Sequence, residues 1–198
     1  MTFPASFRTI GLAGAIAAGV LGLSACTTTP STSAATPTVP SNTRASVDAQ
    51  VDAALNRLYN TVPGSRELVA RSKGVLVFPA VVGGSFIVGA EYGRGALRVD
   101  GKTLDYYSTT AASIGLQAGA QSKAVYYVVT TRDALDKFRA SNGWTAGVDA
   151  TVAVAQIGAN GTVDTRTLQQ PVVAFVLNNA GLEAGVSLQG SKITKIAL

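Results

Sequence analysis

The side chains that most often carry catalysis are almost missing from this sequence. It contains no histidine, and Cys26 is the single cysteine among 198 residues. The chain therefore lacks the usual general base, the usual zinc ligands and a free cysteine nucleophile. Ser72 and Lys73 are neighbours, but a serine–lysine pair needs spatial contact and a third orienting group. We predict that the protein is not an enzyme and uses neither a metal nor another cofactor.

The acidic residues offer no obvious pair for acid–base chemistry. Asp48 and Asp52 fall one turn apart on a predicted helix, and Glu91 and Glu183 lie inside strand patterns. A glutamate in a glycine-rich strand most often faces solvent, and we interpret both glutamates in this way.

Basic residues give the clearest signal for binding. Arg57, Arg66, Arg71 and Lys73 gather around two predicted helices, in a chain with a net charge of +5. A basic amphipathic helix can lie on an anionic membrane surface, and the alternative is a solvated helical face. We predict these four residues as lipid-binding candidates. Nucleic acid is not an expected partner, because it needs a denser basic stripe.

The first 25 residues read as an export signal. Arg8 precedes an apolar run from Ile10 to Leu23, which is short for a bilayer span, and small residues follow. Leu23-Ser24-Ala25-Cys26 resembles the lipobox of bacterial lipoproteins; the alternative is an ordinary export signal that contains a cysteine. The resemblance implies cleavage before Cys26, acylation of Cys26 and, since Thr27 follows, transfer to the outer membrane.

The remaining chain divides into a tether and one domain. Residues 26–45 hold threonine, serine, proline and alanine with almost no bulk, so they cannot bury a core. Residues 46–198 form the predicted domain. It opens with an amphipathic helix from an N-cap at Ser46 to about Tyr59, then a break at Pro63–Gly64 and a short second helix over 65–72.

The stretch 73–99 is the predicted centre of a sheet. Val75 to Phe78 form a continuous apolar run, which indicates a strand covered on both faces. We expect Pro79 to end or edge this strand, Gly83–Gly84 to turn the chain and residues 85–90 to form the next strand. Nearby glycines at 89, 93 and 95 predict a curved, bulged sheet or a ligand lying against it, and we favour curvature.

Further strands and one helix complete the predicted domain. Asp100–Gly101 predicts a hairpin turn. Strand patterns follow over 114–121, 125–129, 144–154 (with Val148 and Ala150 on one face), 172–177 and 182–188, with a turn at Asn160–Gly161. A short helix capped by Thr130 with Asp133 ends at Asn142–Gly143. The fold class is therefore α+β: a curved, mainly antiparallel, glycine-rich sheet with an N-terminal amphipathic helical segment and one short helix inserted between strands.

Four stretches carry a family resemblance. They are SKGVLVFP, GGSFIVGAEYGRG, SIGLQAGAQ and GLEAGVSLQGSKI. Over residues 46–198 the chain resembles the SYLF-domain family of lipid-binding proteins, and the resemblance implies a compact α+β domain that associates with phospholipid. Actin binding, known in some eukaryotic members, is not carried over to an exported lipoprotein. The chain departs from the family at LDYYSTT, where many relatives carry a Trp-Ser-Pro-like stretch, so a site built there is in doubt.

Together these features predict a lipoprotein of the bacterial cell envelope. Cys26 would anchor it in the outer membrane facing the periplasm, and its SYLF-like domain would bind phospholipid, with the basic residues contacting anionic headgroups. The alternative is an interaction module that docks an envelope protein through its glycine-rich sheet.

Overall fold

The folded chain combines short helices with long, glycine-rich strands. The computed structural model describes residues 43–85, 88–114, 119–156, 163, 167 and 169–198, all within the compact unit Val39–Leu198. The helices are α1 (Arg44–Thr61), α2 (Ser65–Arg71) and α3 (Arg132–Ala140). The strands are β1 (Gly74–Ser85), β2 (Val88–Val99), β3 (Lys102–Ile114), β4 (Gly119–Val129), β5 (Trp144–Thr145), β6 (Val152–Val154), β7 (Val172–Asn178), β8 (Gly181–Leu182) and β9 (Lys192–Ile196).

The strands form one curled sheet, which confirms the predicted α+β class. Their order is β5-β9-β3-β2-β1-β4-β7-β6, with β8 paired to β7. Every pairing between these strands is antiparallel except that of β6 with β7. The first hairpin of the chain, β1 with β2, therefore occupies the centre of the sheet.

The predicted burial of β1 is confirmed on both faces. Val75 and Val77 pack in a cluster with α1 and α2, whereas Leu76 and Phe78 pack in a second cluster with α3. All four residues are at most 3% exposed. We call the two sides of the sheet the α1 face and the α3 face.

Two predictions within β1 were wrong. The strand does not end at Pro79 but continues to Ser85. Its register shifts between Val77 and Ala80 against β2 and between Phe78 and Val81 against β4, so a bulge accommodates the proline that lacks an N–H group. Gly83 and Gly84 do not turn the chain, because they pair with Glu91 and Ala90 of β2.

The glycines of β2 allow close approach at this bulge. A Cβ atom at Gly93 would lie 2.9 Å from the carbonyl oxygen of Ala80, and one at Gly95 would meet the carbonyl group of Val77. Real Cβ atoms do not come so near to backbone, so larger residues would push β1 away. These contacts explain the two glycines by curvature and leave no need for a ligand.

Helix α1 lies on the α1 face and begins earlier than predicted. Its N-cap is Thr43, whose hydroxyl oxygen accepts a hydrogen bond from the backbone N–H of Ser46 at 3.3 Å, so the predicted cap at Ser46 was wrong by one turn. Val47, Val51, Ala54 and Leu58 form the buried stripe. The predicted break at Pro63–Gly64 is confirmed, with Gly64 at φ 79°.

The other local turn and cap signals were accurate to within a residue or two. The Asp100–Gly101 turn is confirmed, because both residues take the positive φ angles of a type I′ turn, 49° and 75°. Helix α3 is capped by the Thr131 side chain, which accepts from the N–H of Ala134, and not by Thr130. The helix then ends at Ala140, close to the predicted stop.

The C-terminal part departs most from prediction. Val148 is 77% exposed and lies in a turn, so it belongs to no strand. The strand expected over 182–188 is reduced to β8, and Gly185 at φ 78° is incompatible with its continuation. Strand β9, which was not predicted, pairs with β3 and buries Ile193.

Several predictions fall outside the described residues. They concern Cys26 and the tether up to residue 42, the strand residues Phe86 and Ile87, residues 115–118 of the alternating stretch, and the turn at Asn160–Gly161.

Candidate functional site

Helix α1 separates the predicted basic residues into two sets. Arg57 and Tyr59 are two positions apart on this helix, so their side chains leave opposite flanks. Arg57 donates a hydrogen bond to the carbonyl oxygen of Asn178 at the end of β7. Arg66 of α2 instead stacks on the ring of Tyr59, with its guanidinium carbon 4.4 Å from the ring centre. Arg57 therefore does not share a surface with Arg66.

The other three basic residues form an exposed group that we call the α2 cations. Arg66 and Arg71 lie on α2, and Lys73 follows the end of the helix by two residues. The Nε group of Arg71 donates to the Glu67 carbonyl oxygen at 3.3 Å. Within the described part of the chain, no carboxylate forms an ion pair with any of the three. Burial raises the pKa of the Tyr59 phenol, and the charge of Arg66 opposes that rise.

Arg98 is held by a network that joins α1 to β2 and β3. Its Nη2 atom lies 2.7 Å from Oδ1 of Asp52 and 3.7 Å from Oδ1 of Asp48. The Asp48 carboxylate also accepts hydrogen bonds from the Thr103 hydroxyl at 2.7 Å and the Tyr106 hydroxyl at 3.0 Å. Burial, followed by this contact with Asp48, raises the pKa of Tyr106. The network positions α1 on the sheet.

A cleft of about 300 Å³ opens beside this network, between α1, α2 and the turn after β2. Its lining includes Asp52, Tyr59, Val69, Arg98 and Gly101. The charge of Arg98 is already compensated by two aspartates, so an anionic ligand would gain little attraction here. The cleft is a poor candidate for a phosphate site.

A second cleft, of about 310 Å³, lies beside the first turns of α1 and over the distal part of the sheet. Val47 and Gln50 line it from the helix, and Val82, Tyr92 and Arg94 line it from β1 and β2. Val82 is 51% and Tyr92 45% exposed, which is unusual for large apolar side chains on neighbouring strands. Sequence reasoning missed this surface, because only the strand register brings Val82 opposite Tyr92.

The residues considered for catalysis have structural partners. The Ser72 hydroxyl donates to the Val69 carbonyl oxygen at 2.7 Å and caps α2. Glu91 does not face solvent as predicted: its carboxylate is 2.9 Å from the Lys123 ammonium, and the two side chains are only 20% and 18% exposed. Gly83 lies on β1, between β2, which carries Glu91, and β4, which carries Lys123. Because glycine has no side chain, it leaves room for that of Glu91.

The described residues offer neither a metal-binding cluster nor a membrane-spanning helix. They contain no group of three or more cysteine, aspartate or glutamate side chains arranged to hold a metal ion. None of their helices has the length and apolar character needed to cross a bilayer.

Comparison with known proteins finds a family match for part of the chain. Residues 110–196 match the family Ysc84, described as Las17-binding protein actin regulator. Ysc84 is the SYLF-domain family, so the resemblance stated from the sequence is confirmed for this segment. The SYLF match starts near the end of β3 and runs to the end of β9, so the central hairpin of β1 and β2 precedes it. No curated protein matches the chain.

Proposed function

We propose that this protein is a lipid-anchored lipoprotein of the bacterial cell envelope whose SYLF domain binds anionic phospholipid. The observation that carries the proposal is the group of α2 cations, Arg66, Arg71 and Lys73, which are exposed and without acidic partners in the described structure. The match of residues 110–196 to the SYLF family supports the same ligand class.

The α2 cations suit loose binding to a membrane surface. Each basic side chain near an anionic bilayer contributes roughly 1 kcal/mol to the attraction, so three give a weak but measurable affinity. Arg66 is stacked on Tyr59, which limits its freedom before lipid arrives. Arg57 was grouped with these residues in the sequence; because it contacts Asn178 on the other flank of α1, we expect it to contribute less.

Anchoring through Cys26 makes such weak binding sufficient. The lipobox-like Leu23-Ser24-Ala25-Cys26 supports cleavage and acylation at that cysteine, with residues 1–25 removed. A tether ending at about residue 45 keeps the domain near the bilayer and raises its effective concentration there. With Thr27 after the cysteine, we place the protein at the outer membrane, facing the periplasm.

The alternative function, docking of an envelope protein, also has an observation in its favour. β7 pairs with β4 only over residues 124–129, so the β4 segment 119–123 has an edge without a partner among the described residues. An extended peptide could add a strand to that edge. Lipid binding is preferred because it also explains the α2 cations.

The test is co-sedimentation of unacylated protein, residues 27–198, with neutral and anionic vesicles at two salt concentrations. We expect binding to anionic vesicles that weakens with salt, since exposed charges are screened over about 10 Å at 0.1 M. Replacing Arg66, Arg71 and Lys73 by glutamine should abolish the salt-sensitive part of this binding, whereas Arg57→Gln should have a smaller effect.

A matched control comes from helix α3. Arg132, Lys137 and Arg139 are also exposed, and their replacement by glutamine removes the same charge from the chain. If both triple variants lose binding equally, net charge and not the α2 surface is responsible. Retention by the α2 variant of the salt-sensitive binding to anionic vesicles, with an unchanged circular dichroism spectrum, contradicts the proposal.

A further inference from the structure

An exposed row of uncharged side chains crosses four strands on the α1 face. Ser122, Val82, Tyr92 and Thr110 lie directly opposite one another on β4, β1, β2 and β3, and we call them the sheet row. All four residues are exposed. Since strands are spaced by about 4.8 Å, the row is roughly 14 Å wide. It lies beyond the first turns of α1, where the helix no longer covers the sheet.

Arg94 stands next to the sheet row with most of its donors unused. Its Nε group donates to the Tyr92 hydroxyl at 2.7 Å, and its guanidinium carbon is 5.7 Å from the centre of the Tyr92 ring. Its two terminal nitrogens have no hydrogen-bond or ion-pair partner in the described structure. Arg98, on the same strand, is by contrast held by Asp48 and Asp52. Arg94 is therefore a positioned cation that can still bind an oxyanion through both terminal nitrogens.

We propose that the sheet row is a membrane-contact surface, in which Val82 and Tyr92 enter the headgroup region of a bilayer and Arg94 binds a lipid phosphate. This inference rests on the proposed function and adds a surface distinct from the α2 cations. Tyrosine side chains favour the interface between the hydrocarbon core of a bilayer and water. An apolar side chain beside a cation, here Val82 beside Arg94, has the same preference.

Charge and chain connectivity both favour lipid over a protein partner. The described lining of the adjoining cleft contains no acidic residue and one cation, which suits phosphate. The chain from Cys26 enters the described structure at Thr43, one turn before Val47, which itself lines this cleft. An anchored protein would therefore hold the end of α1 that borders the sheet row near the membrane.

The two membrane surfaces differ in position and in physical character. They lie toward opposite ends of α1, whose length is about 27 Å at 1.5 Å per residue. Contact by the α2 cations is electrostatic and fades with salt. Insertion of Val82 and Tyr92 is largely apolar, so it persists at high salt and on neutral vesicles.

A fluorescent label can test this directly in the anchored protein. Cys26 is the single cysteine and is consumed by acylation under the proposed function, so Val82→Cys offers one thiol to a polarity-sensitive dye. Val148→Cys is the control, since Val148 is 77% exposed in the turn after β5, and β5 is four strands away from β1, which carries Val82. In neutral vesicles that carry a lipid-phase quencher, we expect at least about twofold stronger quenching at position 82 than at position 148.

A second, independent test uses protein without the lipid anchor. Val82→Ser with Tyr92→Ser, in residues 27–198, should lower partition onto neutral vesicles by at least about threefold without changing the circular dichroism spectrum. The α2 triple variant should keep that partition. Suppose that the α2 triple variant binds anionic vesicles as well as wild type does, while the label at position 82 is still quenched. That result refutes only the α2 part of the proposed function.

Three results overturn the inference. They are equal quenching at positions 82 and 148, unchanged partition of the row variant, and shielding of the label at position 82 before lipid is added. Shielding accompanied by a doubled mass in solution assigns the sheet row to a second copy of the chain.

Discussion

The α-carbon of Gly95 lies so close to the carbonyl oxygen of Val77 that an ideal Cβ at position 95 would overlap that oxygen. Val77 immediately precedes the bulge at Pro79, in a strand paired on both sides. The glycine is thus the counterpart of the bulge on the neighbouring strand, and the two features define the curl of the central hairpin.

We expect Gly95→Ala to lower the free energy of unfolding by about 3 kcal/mol or more, because the methyl group can be accommodated only by separating β1 from β2. Urea denaturation measures this. Gly143→Ala is the control, since its nearest new contact is the flexible end of Lys192 at 3.7 Å. A similar small effect at both positions would show that the hairpin relaxes easily.

A second prediction is that, in the Arg98 network, the shorter ion pair contributes less to stability than the longer one. Asp52 is closer to Arg98, at 2.7 Å, but its side chain is 61% exposed, whereas that of Asp48 is 33% exposed and serves Thr103 and Tyr106 as well. Asp48→Ala should cost about 2–3 kcal/mol of stability because it leaves three half-buried donors, on Arg98, Thr103 and Tyr106, without this acceptor. Asp52→Ala should cost about 1 kcal/mol or less, as for an exposed pair. An equal or larger loss for Asp52→Ala, measured by the same urea titration, contradicts this.

A third prediction concerns alkaline pH. Burial raises the pKa of Tyr126 to about 12, although Arg57 opposes the shift, and the hydroxyl donates to the Ala54 carbonyl oxygen at 2.9 Å. The folded state therefore retains a proton that the unfolded chain releases near its ordinary pKa of about 10. Stability from this group is complete below pH 10 and is lost as the pH rises toward 12.

At pH 11 the loss attributable to Tyr126 is about 1.4 kcal/mol relative to neutral pH. Tyr126→Phe should be less stable at neutral pH by about 1 kcal/mol, since it removes this buried hydrogen bond, but should lose less stability between pH 10 and 12. Chemical denaturation across this range measures both effects. Tyr107, whose pKa burial also raises to about 12, remains in the variant, so part of the pH dependence should persist. Parallel curves for wild type and Tyr126→Phe would contradict the assignment.

Features determined by local sequence were predictable. The Asp100–Gly101 turn and the buried stripe of α1 depend on neighbouring residues, and both were confirmed. The course of β1 through Pro79 was not predictable in this way. A proline ends a strand only if its missing N–H breaks the hydrogen-bond ladder. Here a bulge against β2 and β4 removes Pro79 from the ladder, and that bulge depends on strand pairing that the local sequence does not show.

Of the two candidate surfaces, one was likewise predictable from local sequence and the other was not. The α2 cations are close in sequence, and the pattern that grouped them was a local one. Arg57 was grouped with them because helical spacing does not show which flank of α1 meets another element. The sheet row requires the register of four strands, so Val82 and Thr110 could not be connected without the fold.

The position of the first hairpin also constrains the order in which an emerging chain can complete its sheet. The family match begins near the end of β3, yet β1 and β2 lie between β3 and β4 in the sheet. Without that hairpin, the matched segment would divide into two disconnected ladders. Moreover, β9 pairs with β3 across most of the matched sequence, which gives the domain a high contact order and predicts slow folding. Under the proposed export, a chain whose strands β1 to β4 have crossed the membrane still exposes the outer edge of β3, open to pairing with other chains, until β9 emerges.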